Sequence, residues 1–570
     1  MSRFFKVFSA CLVLGLSIGG GSCSTPIVSD HADLIVVNAS ILTMADDQSR
    51  VEALAVRDGR VMAVGSSAEI EKWVGPKTER VDAKGRFLMP GFIDSHGHFR
   101  GLGQMKRLVD LVGASSYEEV VRRVGEAAKN TPKGTWLKGR GWDQNLWAEK
   151  TFPRHQLLSQ QTPDHPVLLT RVDGHALLAN AVAMKIAGVT RETPNPSGGE
   201  IIRDARGNAT GVFVDLAERL IHRAMPAATT KEVRRDLLSA QQEAFRHGVT
   251  SFHDCGASYQ TIEQMRQLYK SADLKIRLFV MYGGSGTIAI DFDRLGEPSV
   301  GEYDHHLTLR TIKLGVDGSL GSRGAALLED YADRPGHRGL TLLSKERLLE
   351  LSREALKRGW QVAVHAIGDR GNHMVLNAWD ELFAEQPEGK NARFRMEHVQ
   401  MLDGKDIPRL APMGLIASMQ TCHGTSDLAW AKDRIGVERV EEGAYAWQKI
   451  IATGAVFCNG TDTPVEPVSP FNNLDAAILR DFGEGKAKSG YHAEQRLTRW
   501  QALNSYTTAG AYASFEEKIK GRLLPGMLAD FVILNQDLMT CPEIAIKATK
   551  VLRTVVAGET VYRALAKPIR

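Results

Sequence analysis

The stretch GFIDSHGHFRG, residues 91–101, follows the apolar run Phe87-Leu88-Met89-Pro90 and sets His96 and His98 on either side of Gly97. Residues two apart on a β-strand project to the same face, so a single strand end presents both imidazoles, with Asp94 on the same side. Two imidazoles so placed can share one metal ion. With 17 histidines in 570 residues, chance alone supplies roughly 0.5 such pairs, so the pair needs support from the rest of the chain.

Seven later runs have the same texture: VTSFHDC (249–255), KIRLFVMY (275–282), LTLRTIKLGVDG (307–318), QVAVHAIGD (361–369), FRMEHVQ (394–400), GLIASMQT (414–421) and AVFCNGTD (455–462). Amphipathic stretches such as SKERLLELSREALKRG (344–359) lie between them. Eight strands alternating with helices predict an α/β fold, a (β/α)8 TIM barrel, whose active face is formed by the C-terminal strand ends. Those ends carry His96 and His98 on strand one, His365 on strand five, His398 on strand six and Asp462 on strand eight. Singly, each reads as well as a hydrogen-bonded core or loop residue; jointly they read as a metal centre.

Strand four adds Lys313. Alternation puts Lys313, Gly315 and Asp317 on one face and Ile312, Leu314 and Val316 on the other. An ammonium pointing into a barrel is costly unless paired, and burial favours the neutral amine. A neutral amine can add carbon dioxide and become an anionic carbamate ligand. The alternative is an ion pair of Lys313 with Asp317 or Glu397.

The first and second strands are separated by about 150 residues, far more than a crossover helix needs, which predicts an inserted subdomain at about 105–245. Its aromatic and polar segments, GRGWDQNLW (139–147) and TRVDGHALLAN (170–180), are candidates for a lid or specificity wall. At the chain ends, DLIVVNASILTM (33–44), VEALAVRDGRVMAVG (51–65), RVDAKGRFLMPG (80–91), LPGMLADFVILNQD (524–537) and KVLRTVVAGETVYR (550–563) are short β-rich runs broken by turns. They predict a composite β-sandwich whose two parts span 30–90 and 511–570, flanking a barrel over 91–510.

Composition is that of a globular chain, 43% hydrophobic and 24% charged. The net charge of +4 arises from dispersed residues, without a nucleic-acid-binding arm, so a small molecule is the expected partner. The start, MSRFFKVFSACLVLGLSIGGGSCS, has basic Arg3 and Lys6, an apolar core and small residues up to Cys23, the layout of a signal peptide over residues 1–22. Its apolar run is short of the roughly 20 residues that span a bilayer. Gly-Gly-Ser-Cys resembles a bacterial lipobox, with Gly20 where a larger aliphatic residue is usual; export to the periplasm is expected, with a lipid anchor on Cys23, which needs no transmembrane helix, as the outer-membrane alternative. The remaining cysteines, Cys255, Cys422, Cys458 and Cys541, have no CxxC spacing and read as buried single thiols.

The array LMPGFIDSHGH, GVTSFHD, IKLGVDGSLGSRGAAL, VAVHAIGDRGN, MEHVQ, NGTDTPVEPVSP and GRLLPGMLADFVIL resembles the amidohydrolase superfamily, in particular its YtcJ-like branch (amidohydrolase family 3), which includes N-substituted formamide deformylases. The resemblance implies a (β/α)8 barrel with a β-sandwich from both chain ends and one or two divalent ions, usually zinc. It further implies that His96 and His98 bind one ion, His365 and His398 a second, that N6-carboxylated Lys313 bridges them, and that Asp462 contacts the first ion and acts as general base and acid. A homodimer is the expected assembly.

The reaction so implied is hydrolysis of a non-peptide carbon–nitrogen bond in a small amide. Deamination or isomerisation on the same scaffold, and a silent exported binding lipoprotein, are the alternatives. For substrate contacts the candidates are His175 from the insertion, Asp317, Ser319 and Arg323 from the loop after strand four, and Trp142, Trp147 and His423 as pocket walls. Arg323 either holds a substrate carboxylate or phosphate, or braces the loop with Asp317.

Overall fold

The computed structural model describes residues 31–284, 286, 289–480 and 492–565. The signal-peptide segment 1–22 and Cys23 lie outside the described residues. Among the described residues no helix is long and apolar enough to cross a membrane.

The eight predicted strands are all present: β1 (Phe92–Gly97), β2 (Val249–Ala257), β3 (Arg277–Gly283), β4 (Leu307–Gly315), β5 (Gln361–Ala366), β6 (Arg395–His398), β7 (Ile416–Met419) and β8 (Val456–Asn459). They pair in parallel and in sequence order from β1 to β8. Each is buried along almost its whole length, as expected of a parallel sheet covered by helices. The ring is nearly closed just past the ends of β1 and β8, where Asp462 N–H donates to His96 O at 2.7 Å and His98 N–H to Thr463 O at 2.7 Å. Close approach there depends on Gly460, because a Cβ at that position would sit 2.3 Å from His96 N.

Both chain ends build the sandwich. Phe531–Leu534 pairs antiparallel with Phe87–Pro90, joining strands more than 400 residues apart in one six-stranded sheet. The facing four-stranded sheet contains Leu34–Val37, Ala53–Arg57, Arg60–Gly65 and Glu79–Asp82. Leu34, Val36, Leu54 and Val56 pack there against Ile41, Leu88, Phe531 and Val555. DLIVVNASILTM is not one strand: Asn38, at φ 52°, turns the chain, so that Leu34–Val37 and Ser40–Leu42 enter different sheets. The sandwich is tied to the barrel through Asp530, whose carboxylate accepts from Arg277 Nε at 2.6 Å and Nη2 at 3.0 Å, both side chains buried.

The large insertion after β1 forms a six-stranded sheet in the order Gly199–Arg203, Ala209–Asp215, Ala176–Ala179, Val167–Arg171, Leu137–Trp142 and Val109–Asp110. It has its own apolar core, including Leu111, Val124, Trp142, Trp147, Leu169 and Val212.

Candidate metal centre at the barrel mouth

His96 is fully buried at the end of β1. Its Nδ1 lies 2.5 Å from Glu397 Oε2, while Nε2 has no hydrogen-bond partner among the described residues. Asp462 Oδ1 stands 3.5 Å from His96 Nε2 and 3.3 Å from His98 Nε2, and it too is buried without a hydrogen bond. The ligand atoms of His96, His98 and Asp462 all fall within 4.8 Å of one another. His398 continues the ring of imidazoles, its centroid 4.6 Å from His96 and 4.5 Å from His365. Its Nδ1 is fixed 2.7 Å from Gln420 Oε1.

Lys313 is fully buried and its Nζ makes no hydrogen bond among the described residues. It borders the same cavity as His98, His365, His398 and Asp462. Neither alternative partner holds it. Glu397 accepts instead from Arg395 Nε at 2.7 Å and engages His96, and Asp317 accepts from the backbone N–H groups of Ala326, Ile367 and Gly368 at 2.8–3.0 Å.

Electrostatics suit this set to a cation. Burial pulls His96, His365 and His398 below the ordinary imidazole value, favouring the neutral, metal-ligating form. Burial opposes the charge on Asp462, but the adjacent imidazoles of His98, His96 and His398 hold its carboxyl well below the usual range. Glu397 is likewise kept ionised against burial by Arg395 and His96. Three buried polar atoms, His96 Nε2, Asp462 Oδ1 and Lys313 Nζ, thus stand in one place without a hydrogen bond among the described residues. Such groups cost about 1–3 kcal/mol each when left unsatisfied, and a metal ion fits the donor set.

Two of the site residues have left-handed backbone, His398 at φ 75° and Asp462 at φ 52°. For non-glycine residues this is a sparsely populated conformation that clusters at functional sites. Gly97 leaves room where β1 ends, since a Cβ there would lie 2.5 Å from Phe252 Cζ and 3.2 Å from Thr463 Cγ2.

A cavity of about 640 Å³ opens above the centre, bordered by His365, His398 and Asp462 from the barrel and by Arg171, Asp173 and His175 from the insertion. A family model described as amidohydrolase matches residues 79–562. The chain belongs to the amidohydrolase family. The Bacillus subtilis protein named as amidohydrolase YtcJ is 33% identical over 92% of this chain and 98% of its own length. The N-substituted formamide deformylase of Arthrobacter pascens is 25% identical over 93% of this chain and 98% of its own. A crystal structure of a metal-dependent hydrolase from Pyrococcus horikoshii superposes with a TM-score of 0.72 at 28% identity, covering 90% of this chain and 99% of that one. As an amidohydrolase with metal-dependent relatives of the same fold, the protein is a hydrolase carrying a candidate metal-binding set.

Around that set, this amidohydrolase departs from the sequence reading at several substrate-contact positions. Asp317 is fully buried and spent on backbone N–H groups. Because β4 ends at Gly315, strand alternation no longer governs where Asp317 points. Arg323 pairs with Asp333, Nη2 to Oδ2 at 2.9 Å, and so braces its loop through that residue instead of Asp317. Trp142 and Trp147 are core residues of the insertion, their indole N–H groups donating to Leu169 O and Ala114 O. Ser319 and His423 do border the cavity.

His175 reaches the centre from the insertion, its ring 4.9 Å from His365 and its Nδ1 2.7 Å from Asp215 Oδ1. Burial opposes its protonation, but Asp215, then Asp173 and Glu218, push it up to about 9. Glu397, Asp215, Glu218, Arg140 and Gln420 were not singled out as site residues from the sequence. Glu397 had a visible signal, its place one residue before His398 on a strand end, and Gln420 lies at the end of the seventh predicted strand without a metal-ligating side chain to mark it; Asp215, Glu218 and Arg140 lie in the insertion, which no strand pattern orients toward the barrel.

Proposed function

We propose that the protein hydrolyses a non-peptide carbon–nitrogen bond in a small amide, with N-acyl and N-formyl amines as the first substrate class. The observation that carries this reading is the convergence of His96 Nε2, Asp462 Oδ1 and Lys313 Nζ, none with a hydrogen bond among the described residues, beneath a cavity shared by barrel and insertion. The name of the Arthrobacter pascens relative supports the choice of bond.

His96, His98 and Asp462 would hold one divalent ion, with zinc the expected species, and His365 and His398 a second, with Lys313, carboxylated on Nζ, as the shared ligand. Bound there, such an ion lowers the pKa of water toward neutrality and polarises a carbonyl oxygen. Asp462, ionised and next to both β1 imidazoles, accepts a proton from the attacking water and returns it to the leaving nitrogen, so that the amine departs neutral. His175, held by Asp215, faces the carbonyl side as a hydrogen-bond donor to the developing oxyanion. Glu397 fixes the His96 ring so that Nε2 points inward.

The test is a screen of N-formyl amines, N-acyl amines, N-acyl amino acids and lactams with the purified metal-loaded protein, with and without a chelator. Chelator-sensitive release of a carboxylate and an amine supports the proposal. No turnover of any amide at full metal occupancy overturns it, and ammonia release without a carboxylate product assigns deamination instead. We also propose export, with Cys23 as the anchoring residue if lipidated; fractionation of the native host and mass analysis of the mature N-terminus test this.

A further inference from the structure

A second group of metal-ligating side chains lies in the wall of the same cavity. Cys422, His423 and Glu466 offer a thiol, an imidazole and a carboxylate whose ligand atoms all fall within 4.8 Å of one another. Cys422 and His423 are buried, 4% and 8% exposed, and His423 Nε2 has no hydrogen-bond partner among the described residues. His423 and Glu466 border the large cavity; the backbone of Cys422 behind them is anchored by its N–H to Asn473 Oδ1 at 2.9 Å. Glu466 is held in the loop after β8, between Val465, whose N–H donates to Asp462 O at 2.8 Å, and Pro467.

Another cysteine-containing group of the interior, His96, Cys255 and Glu397, differs in two respects. Its carboxylate is already committed to Arg395 and His96, and its thiol is 3.7 Å from His253 O. Among the described residues, Cys422, His423 and Glu466 have no such competing ion pair with each other or with a cation. Zinc–sulfur and zinc–nitrogen bonds of about 2.0–2.3 Å place tetrahedral ligands roughly 3.3–3.8 Å apart, so small side-chain rotations close the set around one ion, leaving a fourth position toward the cavity.

We propose that Cys422, His423 and Glu466 form an auxiliary site for a thiophilic divalent ion of the zinc class, separate from the centre at His96, His98 and Asp462, and that an ion bound there obstructs the cavity. On binding, the Cys422 S–H bond breaks, the sulfur–metal bond forms and the proton leaves to solvent. Thiolate and carboxylate then balance the two positive charges of the ion. The ion links the segment after β7 to the loop after β8 that also carries Asp462, so excess metal inhibits turnover.

The test uses the full-length protein with its tightly bound metal, titrated with cobalt(II) and followed by thiolate-to-cobalt charge-transfer absorption in the near ultraviolet. One further equivalent is expected to bring up that absorption. Cys422→Ser should abolish it, Glu466→Gln should weaken binding of that equivalent at least about tenfold, and Cys255→Ser should leave it unchanged. Should Cys422→Ser fail to fold, the Glu466→Gln titration still decides. Absence of the band in the wild type, its persistence in Cys422→Ser, its loss in Cys255→Ser, or unchanged affinity in Glu466→Gln would each overturn the proposal. The spectrum reads the site without reference to any substrate, so failure of the amide screen leaves this result independent.

Discussion

His96 Nδ1 and Glu397 Oε2 lie 2.5 Å apart with neither side chain exposed, and Arg395 completes the row by donating to the same carboxylate. The contact spans the barrel interior from β1 to β6 and leaves His96 Nε2 as the ring's free nitrogen. Glu397 would act on an ion held there through the imidazole. Glu397→Gln keeps the shape but loses the ionic acceptor, and is expected to lower metal affinity by about 10–100-fold. Competition titration against a chromophoric chelator checks this; unchanged affinity would remove Glu397 from the account.

Lys313 Nζ has no hydrogen-bond partner among the described residues despite complete burial. If its amine becomes a carbamate ligand, Lys313→Ala should lose at least one equivalent of tightly bound metal. Protein prepared with carbon-13 bicarbonate should show a carbamate resonance that the variant lacks. Full metal content in Lys313→Ala would contradict the bridging role.

Trp142 should matter for stability and little for substrate choice. Its side chain is buried in the core of the insertion and its indole donates to Leu169 O. Trp142→Ala is expected to destabilise by about 3–5 kcal/mol, read as a lower denaturation midpoint. A stable variant with altered KM across the substrate panel would restore it to the pocket wall.

Asp530 and Arg277 join sandwich to barrel as a buried pair. Burial works against the ionised Asp530 carboxyl, but Arg277 and the Ala557 N–H hold it below its ordinary value. The pair therefore contributes stability above the carboxylate range of the unfolded chain, and loses it as pH falls through the lowered folded value. Asp530→Asn, which strands the Arg277 charge, should cost about 3–5 kcal/mol at neutral pH. The gap between the two proteins should narrow on acidification. A pH-independent gap in chemical denaturation would contradict this.

The barrel was legible because each strand is a buried apolar run, and the site because β1, β4, β5, β6 and the turn after β8 carry His96 and His98, Lys313, His365, His398 and Asp462. The same logic failed one step past a strand end. Asp317 follows Lys313 with the right alternation, but β4 stops at Gly315 and its carboxylate turns to the N–H groups of Ile367 and Gly368. Trp142 looked like a pocket wall because it stands among polar residues, yet the fold of the insertion folds it inward. Asp215 and Glu218 come from the insertion, in a region where no sequence period indicates which face meets the barrel. The left-handed backbone at His398 and Asp462 leaves no mark on composition.

The central claim, that a metal centre at the barrel mouth works through the Asp462 carboxylate, is tested most directly by Asp462→Asn measured for metal content and turnover on the same sample. The expected result is that the ion we propose at His365 and His398 is retained, while turnover of the best amide substrate falls by about 10²–10⁴-fold. Wild-type turnover in Asp462→Asn would contradict the account.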